Sequence, residues 1–175
     1  MTLNKLIERL KTTDRNLILM VGVPLSGKST LIKKLAEHVD IIISRDEIIL
    51  EKADGLGYSD AFHKVDQKAV STILKYRIMD AAKTGGNVVI DMMNHRPKLR
   101  RAHLSKFDKY TKIALITDCP SLKVLLERND NRNTEESKFI PIKVIEDTLK
   151  MYSSPTKEEG FDYIVYDKYN KKGVN

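Results

Sequence analysis

The chain has 175 residues, 41% of them apolar and 31% charged, with a net charge of +7. That balance excludes a disordered chain, and a single cysteine, Cys119, excludes an intramolecular disulfide framework. No apolar run approaches the roughly 18–20 residues needed to cross a bilayer, and the first residues do not read as a secretory leader.

From the N-terminus, Leu3, Leu6, Ile7 and Leu10 alternate with Lys5, Glu8 and Arg9, the pattern of an amphipathic helix. Residues 17–21 form a continuous apolar run that ends at Gly22, as expected of a strand covered on both faces. A helix follows directly over Ser29–His38. Further strands are predicted at Ile41–Ser44, Val88–Met92 and Ile113–Thr117, with a shorter one at Tyr163–Tyr166. Apolar residues at helical spacing predict one long helix over about 59–83, stopped by Gly85-Gly86. Helices over Pro97–Lys109, Pro120–Arg128 and Pro141–Tyr152 each begin at or beside a proline, which a first helical turn tolerates. Gly160-Phe161-Asp162 predicts a turn into the last strand, and the tail after Tyr166 is expected to fray. Strands alternating with helices imply a mainly parallel α/β sheet of four to five strands, in one domain over residues 1–175 with no internal repeat. The polar stretch at about 129–138 is the expected site of a mobile lid.

Gly22-Val23-Pro24-Leu25-Ser26-Gly27-Lys28-Ser29 matches G-x-x-x-x-G-K-[ST] in full, after a strand and before a helix. Glycines at such positions let backbone N–H groups face a phosphate with no side chain in the way. Lys28 reaches the β- and γ-phosphates, and the Ser29 hydroxyl is a ligand for Mg²⁺. The helix dipole points its positive end at the same charge. The expected triphosphate-binding set is therefore Gly22, Ser26, Gly27, Lys28, Ser29 and Thr30, with ATP or another NTP and Mg²⁺ as cofactors.

Ligands of open parallel sheets bind at the carboxyl ends of the strands. Two strands here deliver an aspartate there: Asp46 follows Ser44-Arg45, and Asp91 follows Val88-Val89-Ile90. Asp46 is the candidate general base and Asp91 the candidate for the Mg²⁺ shell; helix N-caps are the alternative for both. Arg45 reads either as a surface residue or as a contact to a substrate phosphate. Arg128 and Arg132, four apart, would share a face if the helix continued between them. They read either as stabilisers of charge on a transferring phosphoryl group or as a solvated basic helix end. None of the four histidines shows metal-ligand spacing; His95 is either packed or facing the site beside Asn94.

The P-loop, Ser44-Arg45-Asp46, Asp91-Met92-Met93-Asn94-His95-Arg96-Pro97, Arg128…Arg132 and Ile140-Pro141 occur in the order seen in phage polynucleotide 5′-kinases, and the chain resembles that family over about residues 16–152. The resemblance extends to kinase domains of tRNA-repair enzymes and covers the kinase part only. It implies a three-layer α/β/α P-loop fold with sheet order 2-3-1-4-5, and transfer of the γ-phosphate of ATP to a 5′-hydroxyl of DNA or RNA. It further implies that Asp46 activates that hydroxyl, that Lys28 and Ser29 hold phosphates and Mg²⁺, and that Arg132 contacts the transferring phosphate, with Arg128 at the start of the lid. A cytoplasmic location is expected, the host cytoplasm if the protein is phage-encoded. Two positions depart from the family. The arginine three residues after the catalytic aspartate is Ile49 here, and the strand-end signature Asp-Thr-Asn is replaced by Met92-Met93-Asn94. Both lie on the acceptor side, so a nucleoside, a nucleotide or a hydroxymethylated base in DNA stays open as acceptor. An ATP-dependent binding switch is the reading from a different class.

Overall fold

The computed structural model describes residues 1–132 and 140–167. Five parallel strands form one sheet in the order β2-β3-β1-β4-β5: β1 Asn16–Val21, β2 Ile41–Ser44, β3 Val88–Asp91, β4 Thr111–Ile116 and β5 Tyr163–Tyr166. The helices are α1 Leu3–Thr12, α2 Lys28–Leu35, α3 Arg45–Lys52, α4 Tyr58–Lys64, α5 Gln67–Thr84, α6 Pro97–Leu104, α7 Leu122–Asp130 and α8 Ile142–Met151.

The period-2 geometry of strands divides the core between two faces. Leu17, Leu19 and Val21 of β1 pack with Val88, Ile90, Ala114 and Ile116 against Ile78 and Ala81 of α5, Leu104 of α6, and Phe107. Ile18 and Met20 face the other way, with Val89, Ile113 and Leu115, against Leu3, Leu6 and Leu10 of α1 and Leu31 and Leu35 of α2. All six residues of β1 are buried. The expected three-layer α/β/α architecture and strand order are thus the observed ones.

The predicted long helix over 59–83 is instead two helices. Val65 N–H closes α4 on the Ala61 carbonyl, and the Asp66 carboxylate accepts from Lys68 N–H at 2.8 Å to start α5. A side-chain cap competes with continued helix at that point, and the apolar periodicity runs through the break. Helix α3 was not expected; Ser44 is its N-cap, accepting from Glu47 N–H at 3.5 Å. The expected lid falls largely on residues 133–139, outside the described residues, as does the tail from 168 onward. What brackets the first of these is defined: Asn129 is buried and exchanges two hydrogen bonds with the backbone of Ile140, Nδ2 to the carbonyl at 2.8 Å and N–H to Oδ1 at 3.2 Å. No described helix is long and apolar enough to cross a membrane.

Candidate active site

The P-loop leaves β1 and enters α2 with its residues up to Ser26 buried. Gly27 is the N-cap of α2 at φ 98°, a left-handed conformation that glycine adopts without a Cβ penalty. At Gly22 the requirement is space: a Cβ there would lie 2.0 Å from Thr117 Oγ1 and 2.6 Å from Ser26 Oγ. The Ser26 and Thr117 hydroxyls share a 2.6 Å hydrogen bond, and Thr117 also donates to the Val21 carbonyl at 3.3 Å. Thr117, at the end of β4, thereby ties the next strand to the loop. Lys28 folds back over the loop, its Nζ donating to the carbonyls of Gly22 at 3.0 Å and Val23 at 2.7 Å. Ser29 and Thr30, in the first turn of α2, are exposed.

The ends of the neighbouring strands close around this loop. Gly22 N–H donates to the Met93 carbonyl at 3.0 Å, and Asn94 Nδ2 to the Met20 carbonyl at 2.9 Å. Asp91 is the last residue of β3 and stands opposite Ser44 in the register with β2. Neither aspartate is a helix cap: Ser44 caps α3, and Arg96 occupies the cap position of α6. Asp46 lies in the first turn of α3, and its Oδ1 accepts from the Tyr58 hydroxyl at 2.7 Å. Arg45 is half-buried; its Nη2 donates to Gln67 Oε1 at 2.7 Å, while its buried Nη1 has no partner among the described residues.

The two arginines separate. Arg128 turns onto the loop, its Nη1 donating to the Leu25 carbonyl at 2.9 Å. Helix α7 ends at Asp130, and Arg132 lies exposed beyond it, so the pair does not share a helical face. Their spacing matched a helix period, but past the cap residue Asn131 the Arg132 N–H bonds the Asn129 carbonyl, three residues back, in a tighter turn. His95 is packed rather than open to solvent, 5% exposed, with neither ring nitrogen partnered among the described residues. Burial first, then the charges of Arg96, Arg100 and Lys28, pull its pKa below the ordinary imidazole range.

Among the described residues, no group of three or more His, Cys, Asp or Glu could hold a metal. The oxygens available beside the loop, the Ser29 hydroxyl and the Asp91 carboxylate, suit Mg²⁺, which keeps several waters and is bound by one or two protein oxygens plus substrate phosphates.

Sequence reading missed Thr117, Tyr58 and Arg100. Arg100 is fully buried and forms a two-pronged pair with Glu159 at 2.6 and 2.8 Å, while also donating to the carbonyls of Asn94 and Ser153. It therefore holds the turn after β3 from behind. A lone arginine in a helix carries no sign of such a partner 59 residues away.

The sequence matches the family described as the AAA domain over residues 17–155. The chain belongs to that family. Among solved structures, this AAA domain is similar to a protein of the Pnkp1/Rnl/Hen1 RNA repair complex, with 24% identity, a TM-score of 0.61 and 78% of the chain covered. It spans only 43% of that protein's length. A gluconokinase from Sinorhizobium meliloti 1021 shares 19% identity at a TM-score of 0.55, over 86% of this chain and 81% of its own. Kti12 from Chaetomium thermophilum, in complex with ADP-AlF3, shares 17% identity at 0.59, over 88% and 89%. At these identities the likeness shows a common fold alone. No curated protein sequence matches the chain.

Proposed function

We propose that this AAA domain is an ATP-dependent P-loop kinase, the whole chain serving as one catalytic domain, and that its acceptor is the 5′-hydroxyl end of a DNA or RNA strand. The observation that carries the reading is the order of groups along one edge of the sheet. The P-loop ends β1, Asp91 ends β3 beside it, and Asp46 follows β2 one strand further out. With neighbouring strands about 4.8 Å apart, β1 and β2 lie about 10 Å apart, a separation that supports this reading because a phosphoryl group and an attacking oxygen fit within it.

In this scheme Asp46 takes the proton of the acceptor hydroxyl, the oxygen bonds to the γ-phosphorus, and ADP leaves with the former bridging oxygen. Lys28 and Arg128 neutralise charge on the phosphates, and Arg132 joins them from the lid. Ser29 and Asp91 would hold Mg²⁺, which supplies further charge neutralisation on the β- and γ-phosphates. The net charge of +7 favours a polyanionic acceptor.

One observation favours the small-acceptor alternative. Ile49, where the family has an arginine for the substrate's phosphate, is fully buried among Ile48, Ala53, Ala61 and Val70. The fold does not choose, since it is shared with a gluconokinase as well as with a protein of an RNA repair complex.

The test is transfer of γ-labelled phosphate from ATP with Mg²⁺ to 5′-hydroxyl DNA and RNA oligonucleotides, nucleosides, nucleoside monophosphates and hydroxymethylated DNA. Label at an oligonucleotide 5′ end is expected, abolished in Lys28→Ala and in Asp46→Asn, with ATP binding retained in the latter. Label confined to a small molecule or a modified base moves the acceptor to the alternative. Full turnover in Asp46→Asn removes Asp46 as base, and ATP binding with no transfer at all favours the switch.

A further inference from the structure

Tyr58 and Gln67 are the first residues of two successive helices, and each grips one of two adjacent residues at the start of α3. The Tyr58 hydroxyl donates to Asp46 at 2.7 Å, and Gln67 accepts from Arg45 at 2.7 Å. Gln67 also ties the two helices together, its Nε2 donating to the Phe62 carbonyl of α4 at 2.6 Å. Beneath these polar contacts, α3, α4 and α5 share an apolar cluster of Ile48, Ile49, Ala53, Ala61 and Val70, against which the Tyr58 ring packs. The phenol is therefore delivered to Asp46 from a rigid support.

Packing alone does not account for the oxygen, because phenylalanine fills the same space without a hydroxyl to desolvate. Burial first, then the hydrogen bond and the charge of Asp46, hold the Tyr58 proton far more tightly than an ordinary phenol does. Tyr58 is thus a permanent donor, and an ionised carboxylate only accepts. A carboxylate that accepts from a fixed donor on one oxygen loses rotational freedom, which leaves its other oxygen held in one direction. That restriction serves a group that must receive a proton from one direction.

We propose that Tyr58 is a positioning residue that orients the carboxylate of Asp46 toward the acceptor hydroxyl's proton. The proposal rests on the reading of Asp46 as the general base. It adds an element of this chain, the start of α4, to the machinery of the reaction.

Tyr58→Phe keeps the ring and removes only the donor. With whichever acceptor the wild-type protein labels, kcat is expected to fall about 10-fold while KM for ATP changes less than about 2-fold, the split that marks an interaction used in the chemical step. An undiminished or increased kcat in Tyr58→Phe, or a loss carried by KM alone, overturns the proposal. A second readout needs no turnover. In protein carrying ring-¹³C tyrosine, the Tyr58 resonance, assigned by its loss in Tyr58→Phe, should move in Asp46→Asn; an unmoved resonance means the bond is not made in solution and overturns the proposal. Failure of the parent reading is separable: wild-type protein then labels no acceptor while the resonance still moves, and the positioning role falls with the reaction it serves.

Discussion

A single missing carbon shapes the donor site at Gly22, where the loop passes so close to Thr117 that no side chain fits. Gly22→Ala should therefore lower stability by about 1–3 kcal/mol, the usual range for overpacking a filled site. It should also remove the rise in melting temperature that ATP gives the wild-type protein; a retained shift would mean the loop can open without cost. Behind β3, the Arg100–Glu159 pair is the residue-scale feature with the largest expected effect. Arg100→Met leaves a buried carboxylate uncompensated, a loss of about 3–5 kcal/mol, readable in urea unfolding. The same pair sets an acid limb. Burial raises the Glu159 carboxyl, but the hydrogen bonds from Arg100 and from Thr156 N–H, with the guanidinium charge, outweigh it and leave the pKa below its ordinary 4.5. A carboxyl depressed on folding contributes stability that is present above the unfolded value and lost as pH falls through the folded one. Stability should thus decline below about pH 4.5, and Glu159→Gln should flatten that decline. At this scale the sequence discloses residues whose chemistry is local. Gly22 to Ser29 are legible from spacing, but Thr117 meets Ser26 across 91 positions and Tyr58 meets Asp46 across 12, and no periodicity encodes either contact.

Elements were legible where one period dominates. All five strands were expected within a residue or two, because both sheet faces are covered and their apolar runs are continuous. The division of α4 from α5 was not, since Ala69, Ile73 and Tyr76 continue a spacing that Phe62 and Val65 begin and only the carboxylate of Asp66 marks the restart. A signal for α3 was present in Ser44-x-x-Glu47, the spacing of a capping box, but five of its eight residues are charged and its apolar stripe is short. Between α7 and α8, Asn129 acts as a clasp on Ile140. Asn129→Ala strips a buried N–H and a buried carbonyl of their partner, so a loss of about 1–3 kcal/mol is expected, measured as a lower midpoint in urea at unchanged slope. A fall in the slope as well would indicate that the native state itself had loosened.

For the molecule as a whole, charge makes a prediction that separates acceptors. If a nucleic acid end is bound, KM for an oligonucleotide should climb steeply between about 50 and 200 mM salt through counterion release. KM for a nucleoside should barely move over the same range. The fold class was readable because alternation of strands and helices, a P-loop between the first pair, and glycines at turns all agree. The acceptor was not, since its side of the site rests on packing and hydrogen bonds among α3, α4 and α5 that leave no motif.

The parallel sheet has one more consequence, for how the protein comes into being. Residues 22–29, Asp46, Asp91, Thr117 and Arg128 reach one edge only after crossovers have laid β3 and β4 on either side of β1. On the proposed reading the nucleotide draws on all of these residues, so ATP should bind the finished molecule in preference to earlier stages of its folding. At a concentration of about 100 times Kd it should add about 2.7 kcal/mol to the native state alone. Added during refolding, it should slow unfolding and leave the folding rate unchanged, making the substrate a late-acting lock on the structure that receives it.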